Sequence, residues 1–418
     1  MEVTVTALGA IIALTIAIIL IIKKVHPAYG LILGALIGGL IGGAGLTGTV
    51  NLMMAGAKNM MPAILRILTA GVLAGVLIKS GAAAKIAETI VSKIGESKAL
   101  IALTIATMVL TMVGVFIDVA VITVAPIGLA IASRAKLSKT AILIAMIGGG
   151  KAGNIMSPNP NTIAVSDNLG VSLTNVMMAG IIPAIFGVII TCIIAKKLKG
   201  KGSFVKEEEL TQEVEEKPNF LPAIIGPLVA IILLMLRPIA GIAIDPLIAL
   251  PVGGICGALA MGKVKNISEY ATFGLGKMSG VAILLIGTGT LAGIISNSGL
   301  KDVIIQGINT LGLPSFALAP VSGVLMAAAT ASTTSGSAVA SSVFGATAIE
   351  LGISSLATAA MMHAGATVLD SLPHGSFFHA TGGSINMEMK ERLKLIPYEA
   401  LVGFTMTIVS TIVFGIIL

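Results

Sequence analysis

Leu73-Ala74-Gly75-Val76-Leu77-Ile78-Lys79-Ser80-Gly81 recurs as Leu291-Ala292-Gly293-Ile294-Ile295-Ser296-Asn297-Ser298-Gly299, and the segments behind each copy decide the fold. After both come a short amphipathic stretch, a long apolar region broken near its middle, a span interrupted by Gly and Pro, and a last span. One match between Gly/Ala/Leu-rich segments could arise by chance; the shared order of later features argues for two related halves.

Composition fixes the solvent. The chain has 418 residues, 56% hydrophobic and 11% charged, whereas soluble domains run near a quarter charged. No water-soluble fold hides that much apolar surface, so the chain belongs in a bilayer. Cys192 and Cys256 lie far apart in apolar stretches, with no disulfide framework and no metal spacing. A net charge of +7 is what a many-spanning protein accumulates in its cytoplasmic loops, and nucleic acid is not implied.

Apolar segments of spanning length are expected at 5–22, 28–47, 62–80, 140–162, 176–195, 220–236, 246–262, 278–297, 354–376 and 397–418. The first has Glu2 before it and Lys23 and Lys24 after it, without a small-residue cleavage site, so it reads as a span and not a signal peptide. Regions 99–133 and 316–349 are too long for one crossing and read as re-entrant helical hairpins. Their breaks are expected at Val113 to Asp118 and Ala331 to Ser337. This topology puts 21 of the 26 Lys and Arg on one side, the exceptions being Lys58, Arg66, Lys151, Arg237 and Lys301. That asymmetry marks the cytoplasmic face. Both termini then lie outside, the first repeat enters from outside and the second from inside, and the repeats are inverted.

The expected fold is therefore all-α and polytopic, with about ten transmembrane helices plus two re-entrant hairpins in two inverted repeats. Residues 1–60 read as N-terminal scaffold helices and 61–195 as the first repeat, with hairpin 99–133 and broken helix 140–162. A solvated cytoplasmic linker, 196–219, carries the Glu207-Glu208-Glu209 run. Scaffold helices follow at 220–277, then the second repeat at 278–418, with hairpin 316–349 and broken helix 354–376. The setting is a bacterial cytoplasmic (inner) membrane.

The interruptions carry the chemistry. Gly148-Gly149-Gly150-Lys151-Ala152-Gly153-Asn154-Ile155-Met156-Ser157-Pro158-Asn159-Pro160-Asn161-Thr162 reads as a stretch that cannot remain one helix, because Gly and Pro remove propensity and donors. Gly365 to Ser376, with Asp370-Ser371-Leu372-Pro373-His374, repeats the arrangement. Unwound backbone at membrane depth is tolerated only where it is buried in protein or lines a watery cavity. Its free N–H and C=O groups and its half-helix ends can ligate an anion and a coupling cation. Candidate substrate contacts are Lys151, Asn154, Ser157, Asn159, Asn161 and Thr162 from the first broken span. Ser332, Thr333, Thr334, Ser335, Gly336 and Ser337 come from the second hairpin, and His374 and Ser376 from the second broken span. Asp118 and Asp370 are the ion-coupling candidates, since an intramembrane ionisable residue is a functional candidate by default. A lysine at that depth needs a counter-charge, expected from Asp118 or from the substrate carboxylate.

Plainer readings compete. A Ser/Thr/Gly run in a membrane helix often serves only close packing, and Asp118 with Lys151 could be a purely structural pair. Gly150-Lys151 is not a phosphate loop, because Ala152 and Ala145 stand where Ser/Thr and Gly are required. His363, His374 and His379 lack ligand spacing, so no metal and no cofactor is expected. No nucleophile elbow, zinc motif or paired catalytic carboxylates occur in a span, and an enzyme is not expected.

The Gly-rich stretch ending in Ser157-Pro158-Asn159-Pro160-Asn161-Thr162-Ile163, the Gly336-Ser337-Ala338-Val339-Ala340 stretch and Asp370-Ser371-Leu372-Pro373-His374 resemble the gluconate permease (GntP) family of the ion transporter superfamily. The resemblance implies proton-coupled symport of a hydroxy- or sugar-acid anion such as gluconate, glycerate or 3-hydroxybutyrate, by a homodimer with an elevator motion. One departure stands out. That family carries His-Gly and then Pro-Pro-His-Pro-Gly-Pro in the first broken span, where this chain has Gly150-Lys151 and Ser157 to Asn161. The alternative within the superfamily is a sodium/proton antiporter or a sodium-coupled di/tricarboxylate carrier.

Overall fold

This computed structural model describes residues 4–210 and 217–417. Glu2, linker residues 211–216 and the terminal Leu418 lie outside the described residues. The chain begins with a helix pair, α1 (Ala7–Ile22) and α2 (Pro27–Ile41), followed by α3 (Gly45–Asn59) and α4 (Met61–Lys79). Next are α5 (Ala82–Ile94), the two arms α6 (Ala99–Met112) and α7 (Ile117–Ala135), the two pieces α8 (Lys139–Asn154) and α9 (Pro160–Leu169), and then α10 (Leu173–Ala179) and α11 (Ile181–Lys197).

The second half runs through the same order. A pair, α12 (Phe220–Ala240) and α13 (Pro246–Ala260), leads into the long α14 (Ile267–Ser296) and the short α15 (Leu300–Thr310). Two arms, α16 (Leu318–Thr330) and α17 (Thr333–Glu350), precede two pieces, α18 (Ser355–Gly365) and α19 (Ser376–Gly383), and the final α20 (Met389–Thr411), which runs on as a π turn to Ile417. Among the described residues, six helices are apolar and long enough to cross a hydrocarbon core: α4, α7, α10 joined to α11, α12, α14 and α20 with its π turn. Helices α1, α2 and α13 are apolar but shorter.

Small residues set the packing. Lipid tails are as apolar as leucine, so membrane helices associate where small side chains let backbones approach. Gly34 and Gly38 of α2 lie on Ala13 and Ala17 of α1, and Gly71 of α4 meets Gly274 of α14 backbone to backbone. Helix α14 packs along α3 and α4 and against α2, while α13 packs against α4. Pairs α1–α2 and α12–α13 with α3, α4 and α14 thus make one bundle, and α6 to α11 with α16 to α20 make another beside it.

Both pairs of arms return to the side they left. Helix α7 is long enough to cross by itself, yet its last turn meets the start of α6, where Arg134 lies 2.6 Å from Glu96. At the end of α17, Glu350 reaches Lys301 of α15 at 2.7 Å. The turns are tighter than the sequence suggests. The first covers 113–116 with Gly114 at φ +99°, and the second only Ala331, in the left-handed region, and Ser332. Thr333 to Ser337 are helical, because the Ser332 side chain accepts the Ser335 N–H and caps α17.

Other expectations need correcting. Helix α8 runs unbroken through Gly148, Gly149, Gly150 and Gly153 to Asn154. Their low helix propensity is offset by contact: a Cβ on Gly149 or Gly153 would run into the α6 backbone at Thr104 or Met108, and one on Gly148 into Thr191 of α11. The linker is not simply a solvated connector either. The Ser138 and Lys139 N–H groups donate to the Lys199 and Ser203 carbonyls at 3.0 and 2.8 Å, and buried Lys139 pairs with Glu209 at 2.7 Å. The last helix begins before the expected span 397–418: residues 390–394 open α20, and Arg392 is buried against Glu399 and over the Phe378 ring.

Gly153→Val should therefore collapse the fold, by more than the ~1 kcal/mol of helix propensity at stake. Gly276→Ala, which meets nothing within 4 Å, should hold or raise stability. Detergent melting temperatures of the two variants check both outcomes.

Candidate functional site

Four helices begin at one place. The first turns of α7 (Ile117 to Val119), α9 (Asn161), α17 (Thr333 to Ser335) and α19 (Ser376 and Phe377) all line a cavity of about 330 Å³. Each helix start has backbone N–H groups without an intrahelical partner and the positive end of its dipole. The C-terminal residue of α8, Asn154, and Ala331 after α16 bring carbonyl ends to the same space. The opposite wall comes from the other bundle: His26 and Pro27 at the α1–α2 turn, and Lys277, Gly280, Val281 and Leu284 of α14.

Local sequence explains the first break. Pro158 and Pro160 cannot donate to a helix ladder. Pro160 instead sits in the first turn of α9, where its missing N–H costs nothing, while the Asn159 side chain accepts the N–H groups of Asn161 and Thr162 at 3.0 and 3.2 Å. The Asn159 amide also donates to the Asn154 carbonyl at 2.9 Å, closing the gap across 155–158. In the second half the chain is non-helical between Gly365 and Ser376, which leaves the Thr367 carbonyl free.

Lys151 takes that carbonyl. Its ammonium donates to Asp370 Oδ1 at 2.6 Å, to the Thr367 carbonyl at 2.7 Å and to the Glu399 carbonyl at 3.3 Å. The pair is sealed, with Lys151 0% and Asp370 3% exposed. Asp370 Oδ2 accepts the Thr333 hydroxyl at 2.6 Å, so one carboxylate ties α8, the second break and the tip of the second hairpin together. Expectation placed Lys151 in an unwound span, with Asp118 or the substrate carboxylate as its counter-charge. In fact it is helical, its counter-charge is Asp370, and among the described residues Asp118 lines the cavity with no ion pair within 4 Å. The two halves also meet where Thr334 donates to Asn161 Oδ1 and where the Asn168 amide donates to Ser341 Oγ at 2.9 Å.

Of the candidate residues, Asp118, Asn154, Asn161, Ser332, Thr333, Thr334, Ser335, Asp370 and Ser376 are brought together on the cavity wall. Lys151, Ser157, Asn159, Thr162, Gly336, Ser337 and His374 are not on it. Asn159 and Thr162 build the α9 cap, Ser337 bonds back to the Thr333 carbonyl, and Gly336 lies flat on Ala327. His374 spends its Nε2 on the Ala329 carbonyl at 3.2 Å, and the buried Ser157 hydroxyl has no partner.

Sequence reading missed His26 and Lys277, which carry no motif, and a second polar cavity of about 290 Å³ at the far side of the boundary between the bundles. There Arg66 of α4 pairs with Asp167 of α9 and, at 2.6 Å, with Asp245 of the α12–α13 turn. Hydrogen bonds from the Arg66 guanidinium hold the Asp245 carboxyl below its ordinary range. Arg66 had one visible signal, its place among the five cations off the basic side.

A family profile described as GntP family permease matches residues 1–250, and one described as Na+-H+ antiporter family matches 221–311. An "Uncharacterized transporter" of Haemophilus influenzae is 65% identical over 414 residues, covering 99% of both chains. A "High-affinity gluconate transporter" of Escherichia coli is 26% identical over 226 residues, 52% of this chain and 50% of that one. Among solved structures, the Alcanivorax borkumensis YdaH transporter superposes with a TM-score of 0.68 at 16% identity, covering 90% of this chain and 89% of that one. It shares the fold.

Lys151→Met or Asp370→Asn alone should cost about 3–5 kcal/mol, because each strands a buried partner, and the double variant should recover most of it. Melting temperatures of the three purified variants measure this, and additive losses would contradict the pairing.

Proposed function

The chain belongs to the GntP permease family, and on that premise we propose proton-coupled symport of a small hydroxy- or sugar-acid anion by an elevator movement. It is a multi-pass membrane transporter and not an enzyme. The four helix starts around one cavity carry the substrate reading: their aligned dipoles, and the N–H groups at the starts of α7 and α19 that no side chain caps, favour a carboxylate, and the hydroxyls of Ser332, Thr334 and Ser335 suit a polyol chain. A cavity of about 330 Å³ holds a substrate of that size.

In this reading the two halves are inverted repeats, α1 to α4 with α12 to α14 form the scaffold, and α6 to α11 with α16 to α20 form the moving unit. The site sits between them and opens toward the cytoplasmic side, where His26 lies. Asp370 is the coupling group. It bonds both Lys151 and the Thr333 hydroxyl and reaches the cavity wall, so a proton on it would release positive charge toward an arriving carboxylate. Asp118, in the first turn of α7 and without an ion pair among the described residues, is a second proton or cation ligand. The match of residues 221–311 to sodium/proton antiporters favours sodium as the alternative coupling ion. Gly150-Lys151 in place of the family's His-Gly counts against gluconate itself, though not against an anionic substrate. A homodimer joined through the scaffold would keep one bundle still.

Gluconate, glycerate and 3-hydroxybutyrate, tested with and without sodium, should raise the melting temperature of the purified protein. An inward proton gradient should drive uptake of the stabilising anion into proteoliposomes, and a protonophore should abolish it. Ser335→Ala should weaken apparent affinity roughly fivefold, the equivalent of one hydrogen bond, at unchanged stability. Absence of both stabilisation and uptake with every carboxylate tested would overturn the reading. The proposed orientation predicts external labelling of single cysteines in 165–175 and 300–312, and labelling in 200–215 only after permeabilisation.

A further inference from the structure

The ion cluster at the second cavity crosses the boundary between the bundles. Arg66 and Asp245 belong to α4 and the α12–α13 turn, whereas Asp167 stands in the last turn of α9. Arg66 makes charge-assisted bonds to both carboxylates, through NH1 to Asp167 and through Nε and NH2 to Asp245 at 3.0 and 2.6 Å. Asp167 is 15% exposed, and its Oδ2 is buried with no partner among the described residues. Only two pairings are possible for a three-charge cluster with one cation, and one of them spans the two bodies.

The corresponding place on the other side has no such cluster. Asp245-Pro246 opens α13 as His26-Pro27 opens α2. The repeat that aligns Leu73 with Leu291 aligns Arg66 with Leu284. The boundary there is the 330 Å³ cavity, and among the described residues no ion pair crosses it. One side of the moving unit is therefore fastened by charge and the other is not.

We propose that Arg66, Asp167 and Asp245 form a latch that fastens the moving unit to the scaffold on the extracytoplasmic side and must part before that side opens. This rests on the elevator reading above. Asp245 sets the latch strength: it lies on the same body as Arg66 and competes with Asp167 for the one guanidinium, so its loss tightens the contact that crosses the boundary.

Cysteine accessibility tests it in the full-length protein after Cys192 and Cys256 are replaced. Ile163→Cys, buried on the outer cavity, and Gly280→Cys, on α14 in the inner one, are the two reporters. Asp167→Asn should raise outer labelling by an impermeant maleimide about five- to tenfold and lower inner labelling in permeabilised cells. Asp245→Asn should move both reporters the other way, since Asn caps α13 as well as Asp does. Asp167→Asn or Asp245→Asn with both reporters at wild-type levels overturns the latch. Outer labelling that rises with no fall inside marks a local closure and overturns the moving-unit reading itself, and the latch with it.

Discussion

A helix that stops inside hydrocarbon leaves carbonyls and amides with no water to satisfy them, at several kcal/mol each. Everything near the site depends on how this chain meets that constraint. It stops α8 after Asn154 and closes the gap with the Asn159 side chain, and it stops α18 after Gly365 and hands the freed Thr367 carbonyl to Lys151. The breaks cannot face lipid, so they face one another, and the hairpin tips are drawn in with them through Thr333 on Asp370 and Thr334 on Asn161. Polar groups left over from this mutual satisfaction line the cavity.

The same residue type does two different jobs here. Glycine reads in a sequence as a helix breaker because its propensity is poor. In α8 the glycines keep the helix intact by letting it lie against α6 and α11, and the real break begins where Pro158 and Pro160 remove donors. Lys151 moves with that correction. Carried on a rigid helix and not on a loose segment, its ammonium is aimed at a fixed point, and the second half supplies the acid at that point. A buried pair of this kind need not add stability over an apolar substitute; its effect is to make the docking of one half on the other specific.

The large features of the fold were legible because each rests on a strong signal. Composition and hydropathy length pointed to an all-helical polytopic chain, and the apolar helices agree, although among the described residues six are long enough to cross against about ten expected. The site was legible at the level of segments and less so at the level of side chains. Nine of the candidate residues share one wall because any residue near a break tends to face the other breaks. Asn159 caps through bonds within five residues of itself, whereas the contacts that draw Thr334 onto Asn161 and Lys151 onto Asp370 join segments more than 170 residues apart. His26, Lys277, Asp167 and Asp245 were invisible for a related reason: they matter through the opposite body, and no local pattern records that.

The docked part of the linker has a mechanical consequence. Residues 199–209 are held on the start of α8 by two main-chain bonds and the Lys139–Glu209 pair, so this one of the three covalent connections between the bundles runs from Leu210 to Phe220, where α12 begins. Ten peptide units extend to at most about 35 Å. Leu210 and Phe220 therefore cannot lie farther apart than that, a bound set by covalent geometry alone.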